Sequence, residues 1–184
     1  MLFRDGAKVG SYLGSAEAGI DKLVRNALPV SAAANRALHW VFKIGNLRKY
    51  LEFSEVVLGM RVLRHEEFES GCEATCNGPY GGAWSKTMVG YGLEDQNFVL
   101  ELTYNYGIDS YEFGNDLQYI ALSCPDAAAQ AQVLGYPVEQ YGDSFIIHGP
   151  DNYKYKIVPE TPAREEAFTA VGLRVSSLEN AKGK

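Results

Sequence analysis

The chain has 184 residues, of which 46% are hydrophobic and 22% charged, and its formal net charge is −6. That length suits one domain with a sizeable core, or one domain with additional pieces. The sequence has no run of basic residues, so nucleic acid is excluded as an expected partner. No apolar stretch approaches the length of a membrane span, so we expect no membrane insertion either.

Residues 1–35 differ from the rest, being rich in Ala, Gly and Ser without sustained periodicity. Basic residues in this segment suggest a mitochondrial presequence, whereas Asp5, Glu17 and Asp21 argue against one, and we expect a disordered tail. Met1 is not followed by a charged region and a long apolar stretch, so a secretory signal is not expected. The predicted compartment is therefore mitochondrial or cytosolic.

The first recognisable module begins at Arg36. Residues 38–44 alternate apolar and partly polar side chains, which predicts a strand with one buried face. Asn46 suits a helix N-cap, apolar residues then recur at helical spacing, and Gly59 fits the position just after the helix. Further strands are predicted at residues 61–68, 84–91 and 98–106, so the order is strand, helix, strand, strand, strand.

The cysteines indicate a reducing environment. Cys72, Cys76 and Cys124 are few and odd in number, which argues against a disulfide framework. Cys72 and Cys76 are separated by three residues, but no other cysteine or histidine lies close enough in sequence to complete a zinc site. We expect free thiols, with a disulfide as the alternative.

The same order then recurs in shorter form. A strand is predicted at residues 118–123 and a helix at 125–134, followed by strands at 137–140, 144–148 and 153–158. A third start begins at Phe168, and the three starts share one pattern: HWVFKIGNL, YIALSCPDA and AVGLRVSSL. Since a lone module leaves a sheet edge exposed, we predict an α+β fold of paired βαβββ modules, at about 36–107 and 117–159, forming a curved sheet around a cleft.

The predicted strand at residues 98–106 raises a question about Glu101. Its neighbours Leu100 and Leu102 belong to a large apolar set, whereas Glu101 alternates with Thr103 and Asn105. Burying an unpaired carboxylate is costly, so we expect Glu101 to face the cleft.

Several segments resemble the glyoxalase I branch of the vicinal oxygen chelate superfamily: HWVFKIGNL with VLGMRVLR, then ELTYNYGIDSYEFG, then YIALS. The resemblance covers about residues 33–178. It implies paired βαβββ modules and, in the better-known members, a divalent metal in the cleft. Related proteins carry two such domains, so we expect one domain at 36–160 and the start of a truncated second domain at 168–184.

The resemblance implies four metal ligands, one from the first and one from the last strand of each of two modules. Such a metal stabilises the enediolate formed by proton abstraction next to a carbonyl, and a carboxylate ligand doubles as the base. His39 and Glu101 match these positions in the first module, so Glu101 is also the candidate catalytic residue. Tyr119 and Lys156 replace the ligands in the second module, which implies an incomplete site with no metal or weakly bound Zn or Ni.

Two hypotheses concern the remaining positions of the site. The Lys156 ammonium takes the place of the metal and pairs with Glu101, within the chain or across chains; the alternative is a solvated lysine. Ala170 occupies the ligand position of the third start. Lys43 and Asn105 match family positions that hold glutathione, the alternatives being a solvated edge charge and a hydrogen bond to a loop.

Other candidates are weaker. His65, at a predicted strand end, and His148, before a turn, are not expected to be ligands. Tyr119 is a proton or hydrogen-bond donor or a packed side chain. The glycine-rich segment CNGPYGGAW is either a lid over the cleft or a plain connection.

We therefore expect a divergent glyoxalase-like protein without standard glyoxalase I activity, which binds a small metabolite of glutathione type or a protein partner. The rival hypothesis is a metal-dependent enzyme of the lactoylglutathione lyase type, acting on a glutathione adduct with metal ligands completed by another module or chain. A third is a purely structural or interaction module. The apolar residues at 168–178 must be covered by this domain, by a second chain, or not at all, and we expect a homodimer or a disordered end.

Overall fold

The computed structural model describes residues 36–71, 79–158 and 167–182. The expected N-terminal tail and the Cys72–Cys76 pair lie outside the described residues, as does the part of the glycine-rich segment before Pro79. The one cysteine described, Cys124, is a half-buried free thiol.

The first module consists of a strand, a helix that ends in a wider π-helical turn, and three further strands. Its elements are β1 (His39–Ile44), α1 (Leu47–Glu52), the π turn (Phe53–Val57), β2 (Arg61–Phe68), β3 (Trp84–Gly90) and β4 (Val99–Asn105). The second module repeats this order, and a further strand and short helix follow it. These elements are β5 (Leu117–Ser123), α2 (Ala127–Val133), β6 (Val138–Tyr141), β7 (Ser144–His148), a 3₁₀ turn (Pro150–Asn152), β8 (Lys154–Val158), β9 (Phe168–Leu173) and α3 (Leu178–Ala181).

The first helix has the predicted ends but not a uniform interior. The Asn46 side chain accepts a hydrogen bond from the Lys49 backbone N–H at 3.0 Å, and Gly59 has a φ of +67°. Between them, the Leu58 N–H donates to the Phe53 carbonyl, five residues back, at 3.2 Å. The Met60 N–H donates to the Ser54 carbonyl, six residues back, at 2.8 Å. The helix therefore ends in turns that are wider than those of an α-helix.

The strands form two curved sheets, and neither sheet closes into a barrel. The first sheet has the order β1-β4-β3-β2, and the second has the order β6-β7-β8-β5-β9. β9, the strand of the third start, pairs antiparallel with β5. The predicted α+β fold of paired βαβββ modules is confirmed.

The inner faces of both sheets share one hydrophobic core. Leu100 and Leu102 of β4 belong to the same buried cluster as Tyr155 and Ile157 of β8. Aromatic rings join the modules directly, because the Phe42 ring stacks on that of Tyr153 with centroids 4.1 Å apart. The apolar residues of the third start are covered by the same core, where Phe168 packs against Phe98 at 5.1 Å between ring centroids.

Hydrogen bonds between the modules reinforce this core. The Tyr50 hydroxyl donates to the Pro150 carbonyl at 2.8 Å, and the Tyr153 hydroxyl donates to the Lys43 carbonyl at 3.0 Å. The Asp151 carboxylate accepts from the Gly45 N–H at 2.7 Å. The two modules are thus fixed to each other at the end of β1. Among the described residues, no helix has the length and apolarity needed to cross a membrane.

Replacing Tyr50 by Phe tests the inter-module hydrogen bond. We expect the free energy of unfolding to fall by about 1 kcal/mol, the usual net value of one hydrogen bond, because the Pro150 carbonyl keeps its bond from the Tyr153 N–H. Urea unfolding measures the change. The matched control is Tyr136→Phe, whose hydroxyl makes no hydrogen bond to another described residue; equal losses in the two variants would contradict the assignment.

Candidate functional site

The strands of the first sheet turn a polar surface away from the core. Side chains alternate along a strand, so the residues between the core positions of β1, β2, β3 and β4 share this surface, which we call the outer face of the first sheet. Its polar members are His39, Lys43, Arg64, Glu66, Lys86, Glu101, Thr103 and Asn105.

His39 and Glu101 lie together on this face, as the alternation of both strands predicts. β1 and β4 run parallel with Val41 opposite Glu101, which places His39 diagonally across from the carboxylate. The His39 Nε2 is 3.4 Å from the Glu101 Oε2, and the side chains are 39% and 16% exposed. Glu101 therefore has a cationic or hydrogen-bonding neighbour and an open path to solvent, which answers how a carboxylate is tolerated in this strand.

Lys43 and Asn105 meet at Tyr111, a residue that the sequence did not single out. The Lys43 Nζ is 6.0 Å from the centre of the Tyr111 ring. Asn105 is almost fully buried. Burial raises the pKa of the Tyr111 phenol, and the Asn105 side chain opposes part of that rise. Tyr111 lies in the segment between β4 and β5, where no periodicity marks a functional position.

A charged network that the sequence also did not predict covers the opposite side of the face. Arg64 donates through Nε and Nη2 to the Glu94 carboxylate, both at 2.9 Å, and also contacts Glu66. The Lys86 Nζ is 2.9 Å from the Glu66 carboxylate. The Arg64 hydrogen bond lowers the pKa of Glu94, and the Lys86 hydrogen bond lowers the pKa of Glu66. Both carboxylates are therefore held ionised.

Two neighbouring potential metal donors, His39 and Glu101, lie on the outer face of the first sheet. Zinc and similar ions take three or four protein donors, and His39 and Glu101 are two. Among residues 36–71, 79–158 and 167–182, no three side chains of His, Cys, Asp or Glu are placed to hold an ion together. Within the described part of the chain, His39 and Glu101 alone therefore do not fit a bound metal.

Comparison with known proteins identifies the family. No protein-family model matches the chain. Glyoxalase domain-containing protein 4 of Rattus norvegicus is 48% identical over 145 residues, which are 78% of this chain and 49% of the rat protein. Lactoylglutathione lyase of Escherichia coli O157:H7 is 34% identical over 140 residues, which are 70% of this chain and 95% of the bacterial protein. The chain is a member of the glyoxalase I family.

A solved structure agrees with this assignment. The crystal structure of glyoxalase I from Zea mays has a TM-score of 0.66 and 26% identity, covering 79% of this chain and 52% of the maize chain. The resemblance inferred from the sequence is therefore confirmed, together with the vicinal oxygen chelate fold. This glyoxalase-family chain spans about half the length of the rat relative and of the maize enzyme.

In the second module, the residues that the sequence resemblance places at ligand positions, Tyr119 and Lys156, lie on the outer face of the second sheet. The Lys156 Nζ is 5.5 Å from the centre of the Tyr119 ring and 5.3 Å from that of Tyr141. Tyr119 is buried against Ala121, Ile146 and Ala170. The second module thus has an ammonium close to two aromatic rings on this face.

The hypothesised pairing of Lys156 with Glu101 is not formed within the chain. Glu101 alternates with the core residues Leu100 and Leu102, and Lys156 with Tyr155 and Ile157, all in one cluster. Both charged side chains therefore point away from the shared core, from different sheets. Strand alternation shows which face a residue occupies but not how two modules are oriented. The intrachain form of the hypothesis is therefore wrong, and a pairing across chains stays a prediction.

The other histidines occupy separate places. His65 contacts the Thr87 hydroxyl at 2.7 Å through Nδ1 and the Glu67 carboxylate at 2.8 Å through Nε2. The His148 Nδ1 contacts the Asn152 side-chain oxygen at 2.9 Å. Neither contacts His39 or Glu101.

The Arg64–Glu94 contact predicts a pH-dependent contribution to stability. Arg64 lowers the pKa of Glu94 in the folded chain, so the contribution is complete above the unfolded value of about 4.3 and is lost as the pH falls through the lower folded value. Arg64→Met should therefore shrink the fall in Tm between about pH 6 and pH 3. Arg48→Met, which removes an exposed arginine with no ion pair to a described residue, should leave the fall unchanged; the same change in both variants would contradict the assignment.

Proposed function

We propose that this chain is a divergent glyoxalase-family protein that binds a small glutathione-type ligand on the outer face of the first sheet. As a single chain it lacks standard glyoxalase I activity. The proposal rests on the His39–Glu101 pair, whose Nε2 and Oε2 atoms are 3.4 Å apart. Among the described residues, no third side chain of His, Cys, Asp or Glu is placed to hold a metal together with this pair. The pair provides a carboxylate and an imidazole but not the three or four donors that a tightly bound metal needs.

The charges on this face favour an acidic ligand. Lys43 forms no ion pair with a described carboxylate, and its ammonium lies near Tyr111 instead. An ammonium with a solvent path is available to a ligand carboxylate. By contrast, Arg64 and Lys86 are already engaged with Glu94 and Glu66. The open cation therefore sits on the β1 side, beside His39 and Glu101.

A second candidate function is a metal-dependent lyase of the lactoylglutathione lyase type. The similarity to the E. coli lactoylglutathione lyase favours it, as does the position of β1 at the edge of its sheet, where another module can approach. It requires two more donors from another module or chain. The candidate site would then use Glu101 as both ligand and base.

Ligand binding is tested by thermal shift with S-methylglutathione. We expect the ligand to raise Tm by linkage, and we expect Lys43→Met to reduce that rise because the ligand carboxylate loses its cation. Lys49→Met, an exposed lysine of α1, is the control and should keep the full rise. No response in the unsubstituted protein would contradict ligand binding.

Metal content and turnover separate the two candidates. Protein purified without chelator should contain well below one divalent ion per chain by elemental analysis. It should not turn over the methylglyoxal–glutathione adduct above the rate without protein. One ion per chain, with turnover that disappears in both His39→Ala and Glu101→Gln, would establish the lyase instead.

A further inference from the structure

A groove lies where the two modules meet, beside the middle of β1. The other sides of this inter-module groove come from the segment before β5, the start of β8 and the residue after β9. Its volume is about 510 Å³, which is a usual size for a small-molecule site. The three residues of the proposed ligand site, His39, Lys43 and Glu101, do not line it. The inter-module groove and the glutathione-type site therefore use different side chains.

Aromatic rings from three parts of the chain form the apolar walls of the inter-module groove. They belong to Trp40 of β1, Phe113 of the segment before β5, and Tyr153 just before β8. The Phe113 and Tyr153 rings have centroids 4.5 Å apart and planes at 69°, so they form a corner. Tyr153 is fixed there, because its ring stacks on Phe42 and its hydroxyl donates to the Lys43 carbonyl. A flat ring that enters the corner can pack against both rings.

Two cations line the same groove. They are the half-buried Lys154 and the exposed Arg174, and neither forms an ion pair with a described residue. By contrast, Arg64 and Lys86 of the first sheet each have a carboxylate partner. Lys154 and Arg174 are thus available to an anion, and a guanidinium can bind a carboxylate through two parallel hydrogen bonds.

Asp116 limits the charge of the anion that fits. It also lines the inter-module groove, and its carbonyl accepts a hydrogen bond from the Arg174 N–H at 2.6 Å, which ties the end of β9 to the segment before β5. Two cations and one carboxylate leave the lining with a single positive charge. That charge matches one ligand carboxylate, whereas a phosphate monoester carries nearly two negative charges and would be repelled by Asp116.

We propose that the inter-module groove binds a small planar aromatic carboxylate. The ring packs against Trp40, Phe113 and Tyr153, and the carboxylate is held by Lys154 and Arg174. Burial of the ring supplies affinity in proportion to the apolar area covered, and the charged contacts orient the molecule. This site does not depend on the proposed glutathione-type function, since it lies on other side chains.

Calorimetric titration of the full chain with 2-naphthoate tests the site. We expect one molecule bound per chain. Binding should be about tenfold weaker or worse for 2-naphthamide, which lacks the charge, and for acetate, which lacks the ring. 2-Naphthyl phosphate should also bind more weakly, because Asp116 repels its second charge. Absence of 2-naphthoate binding, or equal affinity for the amide, overturns the proposal; a preference for the phosphate overturns the assignment to carboxylates.

Substitutions locate the binding. Lys154→Met and Arg174→Met should each weaken 2-naphthoate binding about tenfold, the usual worth of a hydrogen bond to a charged group. Phe113→Ala should also weaken it, because one wall of the corner is lost. The matched controls are Lys49→Met and Arg48→Met, which remove exposed cations of α1 and should keep the full affinity. Unchanged affinity in both groove-cation variants overturns the site.

Two further measurements test the charge limit and the separation of the two sites. Asp116→Asn should raise the affinity for 2-naphthyl phosphate more than that for 2-naphthoate, and equal changes would contradict the role of Asp116. Saturating S-methylglutathione should not displace 2-naphthoate, and competitive displacement would overturn a separate groove. Failure of S-methylglutathione to bind at all counts only against the proposed glutathione-type function.

Discussion

The aromatic contact between the modules determines the arrangement of the whole molecule. Phe42 of β1 stacks on Tyr153 at 4.1 Å between ring centroids, and Phe53 of the π turn packs against Tyr155 at 5.0 Å. Burying large rings from both modules in one core contributes about 1.5–3 kcal/mol per side chain. Because the inner faces are used for this contact, the polar faces of both sheets must point outward.

This orientation determines which residues can cooperate. His39 and Glu101 belong to one outer face, and Lys156 with Tyr119 belongs to another, so these two sets of residues do not meet within the described chain. In the second sheet two first strands, β5 and β9, pair edge to edge. Among the described strands of the first sheet, β1 pairs only with β4, so it is the edge strand beside the candidate site.

Local sequence patterns predicted the structural features that depend on residues close together in the chain, namely helix ends and strand faces. Asn46 and Gly59 mark the helix ends because each satisfies a backbone requirement within a few residues, and alternation placed His39 and Glu101 on one face. The orientation of the modules was not predictable in the same way, since it depends on ring contacts between residues such as Phe42 and Tyr153 that are far apart in sequence. Tyr111 and Glu94 were missed for a related reason: both lie outside the regular strands, where periodicity gives no signal.

The outer faces of the two sheets also differ in how much space they leave for a ligand or a partner. A Cβ added at Gly172 would lie 2.7 Å from the Tyr119 ring, so this ring fills the space over β9 where the strands of the second sheet meet. Lys156 then completes a layer of the chain's own side chains, with its charge over two rings. On the first sheet, His39 keeps 39% of its side chain exposed beside Glu101, and no described strand covers the edge next to it. The first module therefore retains the face at which a ligand or a partner can be recognised, while the second has filled the equivalent face with its own side chains.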